Sequence, residues 1–277
     1  MTLDYPSHDI TIIGLRFYAD RMPVDPKPLV DVRRADDRPH TRIGWLDSRH
    51  SFSFSNHWDP ANTHHGVLLV NNDDKVAPGT GFDTHPHRDM EIVTWVLEGS
   101  LVHQDSIGNS GVLYPGLAQR MSAGTGILHS EKNDAWKHGV GELHESPVHF
   151  VQMWVVPDES GIDPGYEQVE LDGSDLAGRL TVVASGMDAH RDRTAIRIRN
   201  RFAALHVARL SPSESVIVPD APFAHVFVPR GEVDMEVAGS LRTGDAVRLT
   251  AEGGQRITAT TASEILIWEM HAAIQGQ

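Results

Sequence analysis

Apolar residues along this chain come in short runs separated by polar and turn-forming residues. The runs Gly66–Val70, Ile92–Leu97, His149–Val156, Leu180–Ala184, Ala203–Ala208, His225–Val228 and Glu264–Trp268 are rich in Val, Ile, Trp and Phe. Segments this short, rich in β-branched and aromatic residues and bounded by turn formers, read as strands. Asn71–Asp73, Ala77–Gly79 and Gly108–Gly111 supply turn signals between them. Sustained 3.6-residue periodicity is scarce. The pattern therefore predicts an all-β fold, either a closed barrel or a sandwich.

Two features organise the chain above the level of strands. Residues 1–30 have weak periodicity and several prolines and read as an N-terminal extension, while the polar Gly- and Pro-containing stretch Pro157–Tyr166 reads as a boundary. The expected domains are residues 31–160 and 161–277. A weak internal repeat supports two copies of one β unit: Val93–Gly99 resembles His225–Gly231, and Gly116–Met121 resembles Gly244–Leu249, in the same order and at similar separation.

Composition narrows the function classes. Charged residues make up 22% and hydrophobic residues 40% of the 277 positions, as in a folded globular protein. The formal net charge of −14 argues against direct binding to a nucleic-acid backbone. No cysteine is present, so any metal must be held by nitrogen and oxygen. No secretory signal is visible, and no run approaches the roughly 20 apolar residues of a membrane helix, so the expected location is cytoplasmic.

The most informative chemistry is a His-x-His pair, His85 and His87, followed by His129 and Glu131, again with one residue between. In a strand, residues two apart share a face. Two such strands set side by side would bring three imidazoles and a carboxylate to one point, a donor set suited to a divalent transition metal with positions left for other ligands. By parity, His85, His87, Glu91, Val93 and Trp95 share one face if the strand runs unbroken, which would put Val93 and Trp95 deeper in the metal-binding barrel. Gly124 and Gly126 predict a tight turn before His129. His103 and Asp105 share a face and read as an ordinary surface pair, with a hydrogen bond at the mouth of the site as the lesser alternative. Trp95, Met153 and Trp154 read as core. His64 and His65 would face opposite sides, and His57, His138, His144 and His190 stand in polar, turn-like contexts.

Gly79, His85, His87, Glu91 and Gly99, with Gly124, Gly126, His129 and Asn133, resemble the two cupin motifs, with one extra residue before Gly99 and with Gly124-Thr125-Gly126 where Pro-x-Gly is usual. The segments His85–Glu91, Leu97–Gly99, His103–Ser106, Met121–Glu131, Gln152–Trp154 and Gly165–Gln168 resemble the pirin family more narrowly, a branch of the bicupins. That resemblance implies two tandem cupin barrels. It implies one metal held by His85, His87, His129 and Glu131, with iron(II) the expected ion and Mn, Ni, Co, Cu or Zn as alternatives. Glu91, a ligand in many cupins, is not one in pirin-like proteins and is expected to serve as a hydrogen-bond partner. The implied activity is quercetin 2,3-dioxygenase-like cleavage of a flavonol, with Glu131 as the catalytic base and a phenolic substrate and O2 as partners. The alternative is a metal-dependent regulatory module that binds a protein partner without turnover. A closed structural zinc site is a third reading. Under the repeat, His85, His87 and Glu91 fall on Ile217, Pro219 and Phe223, and His129 and Glu131 on Ile257 and Ala259, so the second domain is expected to lack the metal.

Overall fold

A computed structural model describes residues 26–143 and 145–274. Most of the expected N-terminal extension, and His144, lie outside these. The first described strands are β1 (Leu29–Arg33), β2 (His40–Ile43), β3 (Leu46–His50), β4 (Leu68–Val76), β5 (Gly81–His87), β6 (Glu91–Glu98) and β7 (Leu101–Asp105). They continue as β8 (Ser110–Leu113), β9 (Leu117–Ser122), β10 (Ile127–Lys132), β11 (Val148–Val155), β12 (Gly165–Glu170), β13 (Thr181–Ser185) and β14 (Ala203–Leu210). The last are β15 (Ser215–Ile217), β16 (Phe223–Arg230), β17 (Glu232–Met235), β18 (Gly239–Arg242), β19 (Ala246–Thr250), β20 (Arg256–Ala259) and β21 (Ser263–Met270). Helix is confined to single turns, and none of the described helices is long and apolar enough to cross a membrane.

The strands form two lobes of two sheets each. The first lobe sets the sheet β5-β10-β7-β8 with β12-β9-β6-β11-β4-β3-β2. The second sets β15-β20-β17-β18 with β1-β19-β16-β21-β14-β13. The run β9-β6-β11-β4 of one large sheet matches β19-β16-β21-β14 of the other, which is the repeat read from the sequence. Its conformational marks also correspond: Gly99 and Gly231 take φ +77° and +82°, and Gly116 and Gly244 take +97° and +88°.

Two strands depart from the expected division at 160/161. β1, from the start of the chain, pairs antiparallel with β19 of the second lobe. β12, from beyond the division, pairs with β9 of the first. The exchange is reciprocal, because β9 and β19 occupy equivalent places. Each borrowed strand covers what would otherwise be an open edge with unpaired backbone groups.

The large sheets share a core. One buried cluster contains Val93, Trp95 and Leu97 of β6, Val151 and Met153 of β11, Leu205 and Val207 of β14, Phe227 of β16, and Trp268 of β21. Burying each aromatic or aliphatic side chain of this kind contributes on the order of 2 kcal/mol. Trp95 Nε1 donates to Glu264 Oε1 at 2.6 Å, and the backbone N–H of Arg199 donates to Glu91 Oε2 at 2.9 Å. These contacts correct the parity argument. The backbone turns at Asp89, which takes φ +46°, so β5 and β6 belong to different sheets. Glu91, Val93 and Trp95 therefore face the second lobe and not the metal-binding interior. Glu91 is a hydrogen-bond partner, as expected, but at the seam between lobes.

Candidate metal centre

β10 is the middle strand of the three that build the site. On one side it pairs with β5, setting His129 directly opposite His85. On the other it pairs with β7, setting Glu131 opposite His103. Burial along β10 alternates: Ile127, His129 and Glu131 are buried, while Leu128 is exposed. The two sequence pairs thus lie on adjacent strands, the condition that convergence on one point required, with the register shifting between His129 and Glu131.

Glycines fix the turns that bring these strands together. Gly124 takes φ +49°, and a Cβ there would lie 2.2 Å from the carbonyl oxygen of Ile162. Gly81, at the start of β5, takes φ +149°, and a Cβ would lie 2.1 Å from the carbonyl oxygen of Glu131. Both positions need the absence of a side chain. Arg88 Nε donates to the carbonyl of Thr125 and the Asp89 N–H to that of Gly124, tying the first motif to the turn before the second.

Three imidazoles converge. The ring centroids of His85, His87 and His129 lie 4.9, 4.4 and 4.8 Å apart in the pairs 85–87, 85–129 and 87–129. One donor atom from each falls within 4.8 Å of the others, and His129 also belongs to a second such group with His103 and Glu131. The four expected ligands are therefore gathered around His129.

The hydrogen bonds leave the Nε2 atoms of His85 and His129 with a free lone pair. His85 Nδ1 lies 2.7 Å from the carbonyl oxygen of Asp83, which only accepts, so Nδ1 carries the hydrogen. His129 Nδ1 lies 3.4 Å from His103 Nδ1, and His103 Nε2 lies 3.4 Å from Asp105 Oδ2. With the carboxylate accepting from His103 Nε2–H, His103 Nδ1 accepts from His129 Nδ1–H. The Nε2 atoms of His87 and His129 are buried without a hydrogen-bond partner. Burial holds all three rings below the usual histidine range, His87 down to about 3, so they are neutral near pH 7. Orphaned, neutral, inward-facing imidazole nitrogens are what a metal requires.

Glu131 is the acid of the set. Both its oxygens accept from Gln152 Nε2, at 2.8 and 2.9 Å, and Gln152 Oε1 accepts from Trp154 Nε1 at 3.0 Å. Burial pushes the Glu131 carboxyl up to about 7, against the lowering effect of Gln152. Asp74 is likewise raised to about 7, by burial first and then by Asp73 and Glu131. Removing this charge by coordination to a cation relieves the cost of burying it.

The structure moves several residues from their expected places. His103 and Asp105 do form a pair, but their side chains are 1% and 0% exposed and stand behind His129 instead of at a mouth. Asn109 and the backbone N–H of Ile107 bind the Asp105 carboxylate. Tyr166 of β12 packs on His103 with ring centroids 4.9 Å apart and planes tilted by 31°. Trp154 belongs to the buried core, as read, and its ring also stands edge-on to His87 at 4.8 Å and to Phe54 at 5.6 Å. Gln152 was not singled out by sequence reasoning. Its signal is a polar residue inside the apolar run Phe150–Val155, two positions from Trp154 and on the same face.

Similarities to known proteins agree with this geometry. A family model described as Pirin matches residues 31–155. A Mycobacterium tuberculosis protein bearing the name "Putative quercetin 2,3-dioxygenase" is 57% identical over 88% of this chain and 96% of its own. The quercetin 2,3-dioxygenase of Escherichia coli K12 is 37% identical over 87% of this chain and 99% of its own. Among solved structures, the bacterial pirin YhhW of Escherichia coli in complex with nickel(II) superposes with a TM-score of 0.76 at 35% identity, covering 88% of this chain and 100% of that one.

Proposed function

The chain belongs to the pirin family, a branch of the bicupins, and on that premise we propose that it is a metal-dependent dioxygenase acting on a flavonol. His85, His87 and His129 would hold the metal through Nε2 and Glu131 through its carboxylate. The observation that carries this reading is the pair of buried, unpartnered Nε2 atoms on His87 and His129 within a cluster of three neutral rings. Iron(II) is the ion proposed, on the ground of oxygen chemistry, and nickel(II) is the ion of the solved relative. A divalent transition metal held there supplies Lewis acidity toward an anionic oxygen and, when redox-active, a route to O2 chemistry.

The surrounding side chains then have separable roles. Glu131 accepts the proton of the flavonol hydroxyl, with Gln152 presenting the carboxylate and Trp154 fixing the Gln152 amide. Phe54, Trp154 and His87 form a run of edge-to-face rings that suits a flat aromatic substrate. His103 and Asp105 hold His129 in the tautomer that keeps Nε2 free.

The test is oxygen uptake with quercetin after loading the stripped protein separately with Fe(II), Ni(II), Mn(II) and Co(II). The expected result is uptake with at least one ion, an absorbance shift of the flavonol on anaerobic binding, and a loss of about 100-fold or more in Glu131→Gln. Stoichiometric loading with every ion and uptake with none would overturn the enzyme reading and leave the regulatory one.

A further inference from the structure

The second lobe lacks donors at the positions equivalent to the first site, where Ile257 and Ala259 are buried in its own apolar core. A different set of donors has assembled elsewhere in it. His206 lies on β14 and Glu269 on β21, where Ala204 pairs with Glu269 and His206 with Ile267. Their neighbours Leu205, Val207, Trp268 and Met270 belong to the core shared between lobes. By strand alternation, His206 and Glu269 therefore face away from the first lobe. The short helical turn Asp188–His190 brings His190 to the same place, and His271 follows just after β21.

The geometry is compact. One donor atom from each of His190, His206 and Glu269 lies within 4.8 Å of the others, and all three residues are buried. Glu269 Oε2 stands 2.7 Å from His206 Nε2, and Oε1 stands 2.8 Å from His271 Nε2. The His190 and His206 rings are perpendicular, with centroids 5.5 Å apart. Ser185 Oγ lies 3.1 Å from His190 Nδ1 and can donate to the carbonyl of Ala203. The His190 ring hydrogen then sits on Nδ1, and Nε2 keeps its lone pair. His271 is about one-third exposed and gives the cluster a way to solvent.

From this arrangement we infer that His190, His206, Glu269 and His271 form a second metal site, separate from the first, for a borderline divalent ion such as Zn(II) or Ni(II). The donor set repeats that of the first lobe, three imidazoles and one carboxylate, on unrelated positions. Neighbouring ligands of an ion with bonds near 2.1 Å stand about 3.0–3.4 Å apart. The His206–Glu269 contact needs to open by only a few tenths of an ångström to admit one, with His190 drawn in from within 4.8 Å and His271 approaching from its place on the other carboxylate oxygen. The ion would replace two N–H···O bonds, and each ring would keep one hydrogen on Nδ1, the Nε2 hydrogen moving there in a neutral ring or passing to solvent from a protonated one. Burial opposes the Glu269 charge, but the two histidines outweigh it and hold the carboxyl down at about 2, so the anion is already formed.

The experiment is equilibrium dialysis of the chelator-stripped full chain against Zn(II) at pH 7.5, with metal per chain read by elemental mass spectrometry. Two equivalents are expected in the unaltered protein. One is expected in Glu269→Gln and one in His129→Ala, each losing a different ion. His271→Ala changes only a partly exposed side chain and should weaken the second equivalent at least 10-fold with an unchanged melting curve in the absence of metal. A single equivalent in the unaltered protein, or two retained in both Glu269→Gln and His271→Ala, would overturn the inference and leave a hydrogen-bonded His–Glu–His network.

Discussion

His103 and His129 meet Nδ1 to Nδ1 at 3.4 Å, with the Asp105 carboxylate behind His103. The relationship sets which nitrogen of His129 is available to a metal. His103→Phe keeps an aromatic ring against Tyr166 but removes the acceptor. We expect metal affinity to fall about 10- to 100-fold, the range found when the outer partner of a ligating histidine is lost. Calorimetric titration of the stripped variant with Ni(II) measures it, and unchanged affinity would show that the chain from Asp105 to His129 has no bearing on the ligand.

Gln152 is the donor that both oxygens of Glu131 share. Gln152→Leu leaves that buried carboxylate without its partner. The metal-free protein should lose about 1–3 kcal/mol, the usual cost of an unsatisfied buried acceptor. Urea unfolding with and without Ni(II) checks this, and the deficit should shrink when metal is present.

Gly81 abuts the backbone of Glu131. In Gly81→Ala the new methyl would press on the Glu131 carbonyl, and β5 and β10 must part. Since His85 and His129 face each other across the same ladder, the variant should fold less stably and bind metal more weakly than Gly108→Ala, where a Cβ meets nothing within 4 Å. Both take positive φ, so the comparison isolates the contact from the backbone strain. Equal losses in the two variants would sink the argument.

Acid should destabilise the protein through buried histidines outside the ligand set. His50 is held down to about 4, chiefly by burial and against the hydrogen bond that its Nδ1 donates to Asn72 Oδ1. His65 is also held at about 4 by burial, and His225, with both ring nitrogens buried and unpartnered, lies well below the usual value. Between about 4 and 6.5 the unfolded chain binds more protons than the native one, so stability is full above pH 6.5 and falls as pH drops through that window. For His50 alone the loss is on the order of 3 kcal/mol. Denaturation midpoints between pH 7.5 and 5 should fall, with a shallower slope in His225→Leu. A slope that the substitution leaves untouched would refute the assignment for His225.

Much of the site was legible because ligand spacing and strand geometry share a period of two. Residue spacing alone puts His85 with His87, and His129 with Glu131, on common faces, and the repeat anticipated the matching large sheets. Parity failed beyond His87 because a single left-handed residue, Asp89, sends the chain into another sheet, and a non-glycine at positive φ leaves little trace in a sequence. Gln152 and His103 were hard to weigh for a related reason. Their importance depends on which strands lie beside β10, a long-range fact that local pattern does not carry. His190 looked like a turn histidine, and it is one; only the fold sets that turn over β14 and β21.

The reciprocal loan of β1 and β12 makes the two lobes poor candidates for life apart. Cutting between residues 160 and 161 would deprive the metal-holding half of Tyr166, which rests against the ring that orients His129. It would also strip β1 from the other half, leaving β19 with a bare flank. Loss of ions on heating should therefore coincide with separation of the lobes, in one transition instead of two.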